Sequence, residues 1–183
     1  MTKDELRKIY KGRRSEMDPE TKRTADIAIC SAIRALPEYM NATRILVYSP
    51  IRREIDLNYL FEYISEDGKK TMFPRCFGEK MRFADITPKE LTAGSFGIFE
   101  PPLDHKYEDV YSETDVCIIP CLAANKNGCR LGYGGGFYDR FLKSFPGIKV
   151  VALYGDFITD EDFSEEHDVP AGIIVTDKEI FRI

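Results

Sequence analysis

Four glycines within five residues (Gly132, Gly134, Gly135, Gly136) form the part of the chain best suited to chemistry. They lie in residues 130–140, RLGYGGGFYDR. Glycine reaches positive φ and lets backbone N–H groups come close to a ligand. Such a loop leading into a helix makes an anion cradle, because unpaired N–H groups and the helix dipole point at the ligand. The run is not a P-loop, since no Gly-Lys-Ser/Thr follows, and Phe137 stands where a dinucleotide fingerprint would need its third glycine. Asp139 falls in the first turn of the following helix. Beside phosphates a carboxylate is repulsive unless a divalent cation lies between, and magnesium favours one or two carboxylates plus phosphate oxygens. The plain alternative for Asp139 is complementarity with the helix dipole, about 0.3–1 kcal/mol.

Two further sets could act with that loop. Lys3, Arg7, Lys11 and Arg14 share one side of a first helix. A solvated face is the usual meaning of such a run; the functional reading has Lys3 and Arg7 reaching phosphate or carboxylate groups. Glu54 and Asp56 follow a short apolar run in residues 49–56, SPIRREID. A carboxylate there could accept hydrogen bonds from an amino-substituted heterocycle, whereas capping the next helix suits Asp56 better than Glu54. His105 and His167, the only histidines, are too few for a three-histidine zinc site. There is no GxSxG elbow, and no cysteine has an evident histidine partner, so covalent hydrolase chemistry is disfavoured.

These residues need elements to hold them. Thr2 and Glu5 read as a capping box, with Leu6, Ile9, Tyr10 and Met17 along one side of a first helix. Asp18-Pro19 restarts the chain, and Ala25, Ile29, Ile33 and Leu36 stripe a second helix that stops before Pro37. Strands are expected at 44–48, 70–73 (ending at Pro74), 81–84, 116–120, 150–154 and 173–176, with helices at 57–65 and 137–144. Strands alternating with helices predict an α/β fold around a largely parallel sheet, with ligands beyond the carboxyl ends of the strands. The loops after Tyr48, Phe73, Pro120, Tyr154 and Thr176 are therefore the places to search.

The chain has 183 residues, 43% of them hydrophobic, which suits one domain with a real core. Its net charge of −5 disfavours a general nucleic-acid binder. The charge is uneven: residues 1–23 hold eight Lys/Arg against five acids, and residues 155–179 hold nine acids against one Lys. The start, MTKDELRK, has no apolar signal region, and no stretch approaches the ~20 apolar residues of a membrane span. Five cysteines with no CxxC pair read as buried, reduced thiols of a cytoplasmic protein.

In this order, KDELR, PEYMNATRILVY, SPIRREID, GKKTMFPR, GIFEP, IIPCLA, GCRLGYGGGFYDRFL and EEHDVP resemble the 5-formyltetrahydrofolate cyclo-ligase (methenyltetrahydrofolate synthetase) family over nearly the whole chain. The resemblance implies a three-layer α/β/α fold with a largely parallel, mixed central sheet, in one domain over residues 1–183. It implies ATP- and magnesium-dependent conversion of 5-formyltetrahydrofolate to 5,10-methenyltetrahydrofolate, with release of ADP and phosphate, by a monomer acting on small molecules. By the same resemblance, ATP falls to Lys3, Arg7, Arg130, Leu131, Gly132, Tyr133, Gly134, Gly135, Gly136, Phe137 and Tyr138. The folate falls to Arg7, Ser49, Glu54 and residues 133–137, magnesium to Asp139, and catalysis to Arg130 and Asp139. This sequence departs from the family at Gly172, where a second acid is common, with Asp168, Asp156 or water as replacements. Phe157 stands where a polar amide is common. A diverged member that binds without turnover is the alternative suggested by Gly172.

Overall fold

The computed structural model describes residues 1–51, 53–94 and 97–183; Arg52, within SPIRREID, lies outside them. Helix α1 (Lys3–Ser15) starts at the expected box: Glu5 N–H donates to Thr2 Oγ1 at 3.3 Å, and Thr2 N–H to Glu5 Oε2 at 2.8 Å. Asp18 accepts Thr21 N–H at 2.9 Å and caps α2 (Pro19–Arg34), whose Ile29 and Ile33 are fully buried. Then follow α3 (Pro37–Asn41), β1 (Arg44–Leu46), α4 (Asn58–Glu66), β2 (Lys70–Phe77), β3 (Lys80–Asp85), β4 (Thr92–Ala93) and β5 (Phe99–Glu100). The second half holds β6 (Val116–Ile119), β7 (Ala123–Asn125), β8 (Arg130–Leu131), α5 (Phe137–Leu142), β9 (Ile148–Ala152), β10 (Ile158–Thr159), β11 (Ile173–Val175) and β12 (Ile180–Arg182).

Seven strands form the main sheet in the order β12-β11-β9-β6-β1-β2-β3. The five from β11 to β2 are parallel, and β3 and β12 close the edges antiparallel. All four residues of β6 are fully buried, as a strand covered on both faces requires. From β1 the chain crosses through α4 to β2 on one side, and from β6 through α5 to β9 on the other. Right-handed crossovers running in opposite directions put α4 and α5 on opposite faces of the sheet. Helix α2 packs on α4 and β11, and α5 packs on β3 through Phe141 and Phe83, 4.9 Å between ring centres. This is the expected α/β/α layering.

The reversal of strand order falls between β1 and β6. There the loops leave in opposite directions and open a crevice at the carboxyl ends of the strands. A small sheet, β10-β7-β8, follows β6 and delivers the glycine loop to that crevice.

Some expectations change. Strand β2 runs through Pro74 to Phe77 instead of stopping. Its pairing with β1 ends at Leu46↔Met72, so Pro74 has a ladder neighbour only on β3, and its missing N–H is tolerated there. Pro37 opens a short helix, as proline at a first helical position does. Helix α5 ends at Leu142, not at 144, and β9 starts two residues early. Among the described residues no helix is long and apolar enough to cross a membrane.

Candidate active site

A cavity of about 640 Å³ occupies the crevice. Its floor is set by strand ends: Tyr48 and Ser49 after β1, Pro120 after β6, and Pro74, Arg75 and Cys76 on the extension of β2. The glycine loop and the first turn of α5 form one wall. The start of α1 and the 165–168 loop close the mouth. Of the loops singled out in the sequence, those after Tyr48, Phe73 and Pro120 line the cavity. Those after Tyr154 and Thr176 do not.

The cavity gathers almost every residue marked in the sequence: Lys3, Arg7, Ser49, Glu54, Arg130, Gly132, Tyr133, Gly134, Gly135, Gly136, Phe137, Tyr138 and Asp139. Leu131 is the exception; its side chain is fully buried in the core. Gly134 has φ +103° and Gly136 φ +66°, so the loop uses left-handed backbone at two of its four glycines. Arg7 clamps the loop, donating from Nε to the Gly132 carbonyl at 3.0 Å.

Lys3, Arg7 and Arg130 each have a carboxylate partner. Lys3 Nζ lies 2.8 Å from Asp168 and 2.9 Å from Glu165. Arg7 Nη1 lies 2.6 Å from Asp4, and Arg130 Nη2 lies 2.5 Å from Asp139. Arg130 is buried, and it also donates to the Val169 carbonyl. Burial alone would lower the Lys3 ammonium pKa, but the hydrogen bonds to Asp168 and Glu165 outweigh it and hold the value above the ordinary one. Burial likewise pushes Asp168 up, but Lys3 and the Glu165 N–H win and hold the carboxyl below its usual range. Asp139 takes Arg130 and the Val169 N–H on the same oxygen, Oδ1. Ligand atoms of Glu165, His167 and Asp168 lie within 4.8 Å of one another. These carboxylate oxygens are a hard donor set of the kind that suits a magnesium ion.

The middle of the cavity differs in character. Glu54 is buried, and its Oε2 accepts the Ile51 N–H at 2.8 Å. Asp56 turns the other way and accepts the Asn58 N–H at 3.0 Å, at the start of α4, so the capping role falls to it. Tyr48, Tyr133 and Tyr138 line the same cavity as Glu54. Burial first, with the Glu54 charge contributing, raises the pKa of all three phenols. Cys76 lines the cavity as an exposed thiol, contrary to the all-buried expectation. Its pKa is raised, chiefly by burial and then by Glu100, so it is a thiol and not a thiolate at neutral pH.

Several lining residues fall inside segments quoted for the family resemblance but were not singled out there. Glu165 sits in the acidic stretch, but only the fold shows that its partner is Lys3, more than 160 residues away. Arg75, on the extension of β2 beyond Pro74, and Glu100, on the two-residue β5, pair at 3.1 Å and lie outside the expected strands. The basic face of α1 divides: Lys3 and Arg7 line the cavity, whereas Lys11 lies over the Tyr133 ring at 5.8 Å and Arg14 is buried. Gly172 is exposed at the start of β11 and does not line the cavity, whereas Asp168 does. Asp156 pairs with Lys178 outside the cavity, and Phe157 is a buried ring against Tyr10 and Tyr154.

Comparison with known proteins agrees with this architecture. The solution structure of Aquifex aeolicus 5,10-methenyltetrahydrofolate synthetase superposes with a TM-score of 0.87 at 32% identity, over 100% of this chain and 93% of that one. The Escherichia coli K12 5-formyltetrahydrofolate cyclo-ligase is 29% identical over 181 residues, 95% of this chain and 100% of its own length. The Mycolicibacterium smegmatis 5-formyltetrahydrofolate cyclo-ligase is 30% identical over 142 residues, 73% of each chain. The sequence model of the 5-formyltetrahydrofolate cyclo-ligase family matches residues 1–177. With a match of that extent and a shared fold, the chain belongs to the 5-formyltetrahydrofolate cyclo-ligase family.

Proposed function

We propose that this chain is an ATP-dependent ligase that converts 5-formyltetrahydrofolate to 5,10-methenyltetrahydrofolate with release of ADP and phosphate. The observation that carries the reading is the joining, in one cavity, of Lys3, Arg7, Arg130 and the glycine loop to a buried Glu54. The first group suits phosphates; the second suits the N–H-rich edge of a reduced pterin.

The formyl oxygen of the substrate is a weak nucleophile and a poor leaving group. It attacks the γ-phosphorus of ATP, the bond from that phosphorus to the β-phosphate oxygen breaks, and ADP departs. The second folate nitrogen then attacks the formyl carbon and loses its proton. The carbon–oxygen bond breaks, and phosphate leaves carrying the formyl oxygen. Phosphoryl transfer depends mainly on positioning and charge neutralisation. Lys3 and Arg7 bind the phosphate chain from α1, and loop N–H groups face it. Arg130, held by the Val169 carbonyl, places its charge beside Asp139. Asp139 would hold the magnesium ion, with Asp168 as a second oxygen donor. Bound there, the metal supplies Lewis-acid neutralisation of phosphate charge. Glu54 orients the pterin, and Ser49 and Phe137 border it. No step needs a protein nucleophile, consistent with the protonated Cys76.

The test follows the oxygen. Substrate labelled with ¹⁸O in the formyl group is turned over, and the released phosphate is analysed by mass. One labelled oxygen per phosphate is the expected result. Unlabelled phosphate would refute transfer to the formyl oxygen.

A further inference from the structure

Lys3, the first residue of α1, lines the cavity with an ammonium that has no donor to spare. Its three N–H groups face three carboxylate oxygens: Asp168 Oδ2 at 2.8 Å, Asp168 Oδ1 at 3.1 Å and Glu165 Oε2 at 2.9 Å. A phosphate oxygen reaches this ammonium only by displacing one of them. The two carboxylates are not equally replaceable. The Asp168 side chain is 13% exposed, and it also accepts the Glu165 N–H at 2.9 Å and the Cys129 thiol at 3.7 Å. The turn at the cavity mouth is closed further by the Asp168 N–H on the Glu165 carbonyl at 3.0 Å, so Asp168 is built into it. The Glu165 side chain is 49% exposed, and its further contact is the exposed ring of His167 at 3.2 Å. Glu165 is the partner that can leave.

Among the described residues, the three cations Lys3, Arg7 and Arg130 are paired with four carboxylates: Asp4, Asp139, Glu165 and Asp168. A polyphosphate without a metal ion therefore brings its negative charge to a set in which acids already outnumber bases. Displaced from Lys3, the Glu165 carboxylate stays tethered to the same turn. Its charge opposes the incoming anion after the exchange as well as before it. A polyphosphate that carries magnesium has less negative charge and meets less of that opposition. We propose that Glu165 is a specificity-determining residue: as the exchangeable anion on Lys3, it makes the site discriminate against metal-free polyphosphate. The inference rests on the reading of Lys3 as a phosphate ligand. It deepens that reading by naming the form of the ligand that the cavity mouth admits. Glu165 has no part in the phosphoryl transfer itself.

Titration calorimetry reads this without turnover. The ligands are inorganic tripolyphosphate and ATP, each in EDTA and in excess magnesium at one ionic strength. Glu165→Gln removes the charge at nearly constant shape from a half-exposed side chain, so the fold is retained, and a thermal melt checks it. In EDTA the variant is expected to bind either anion about fivefold more tightly than the unaltered protein, the weight of a half-exposed ion pair. In magnesium the gain falls below about twofold. Glu165→Ala is expected to behave alike. Glu166→Gln removes the same charge from the neighbouring exposed side chain, outside the Lys3 set, and is expected to leave the affinities as they are. No gain in EDTA, an equal gain with and without magnesium, or the same gain in Glu166→Gln overturns the inference. The expected pattern with tripolyphosphate in a protein that does not bind ATP supports the inference and refutes the nucleotide reading instead. Binding of neither anion by the unaltered protein, even in magnesium, overturns both.

Discussion

Two single-methyl substitutions in the glycine loop separate the two reasons a ligand-binding loop can need glycine. Gly134 has φ +103°, and a Cβ there would lie 3.5–3.7 Å from the Arg7 guanidinium, an ordinary contact. Space is available, so the cost of Gly134→Ala is the backbone conformation, about 1–2 kcal/mol for a left-handed L-residue. Gly132 lacks positive φ and would have no atom within 4 Å of an added Cβ. Gly132→Ala therefore carries no comparable strain. If Gly134 is present for its backbone, its alanine variant shifts the loop away from the ligand-ready shape by the full strain. That corresponds to an about 5- to 30-fold loss in kcat/KM for ATP. The assay is initial rate against ATP at saturating folate for both variants, with thermal melts to confirm folding. Equal impairment in both variants would mean that any side chain blocks the ligand, and unimpaired Gly134→Ala would mean that the loop does not hold the phosphates. Either result refutes the reasoning.

Other substitutions probe the remaining parts. Glu54→Gln keeps an oxygen for the Ile51 N–H but loses the charge proposed to meet the pterin; a charge-assisted bond of ~1.5–3 kcal/mol predicts an about 10- to 150-fold rise in folate KM, with ATP KM unchanged. Asp139→Asn retains an oxygen for the Val169 N–H, so the fold persists, but the magnesium concentration for half-maximal rate rises roughly tenfold, measured by titrating the metal at fixed ATP. Asp168 has a depressed pKa, so its contribution to stability is present above the unfolded carboxyl value of ~3.9 and is lost as pH falls through the folded value. The melting temperature of Asp168→Asn should lie about 2–4 °C below the unaltered protein, the size of ~1 kcal/mol for a chain of this length. That gap should hold from pH 5 to 9 and close below about pH 4.

The local parts of the fold were legible because their signals are local. Thr2 and Glu5, and Asp18 with Pro19, mark helix starts by side-chain chemistry that acts within three or four residues. The strand at β6 was legible because burial on both faces demands an unbroken apolar run. Pro74 misled because proline ends a strand only where the neighbouring ladder needs its N–H, and that depends on where β1 stops. The Gly loop and Glu54 stood out as residue types at strand exits. Their meeting in one cavity was set by the strand order, with its reversal between β1 and β6. The Lys3 pairing with Glu165 and Asp168, and the descent of Arg14 from a basic helix face into the core, depend on packing between distant segments. Helical spacing puts Arg14 and Arg7 on one side, but Arg14 lies two turns further along, over the segment after β6.

The most direct test mixes the purified protein with 5-formyltetrahydrofolate and magnesium, with and without ATP, and follows the absorbance of the methenyl product. Growth of that band only when ATP is present, with one phosphate released per methenyl formed, is the expected result. A flat trace from folded protein, beside a relative that turns the same mixture over, would contradict the assignment of this cavity to ATP-driven ring closure.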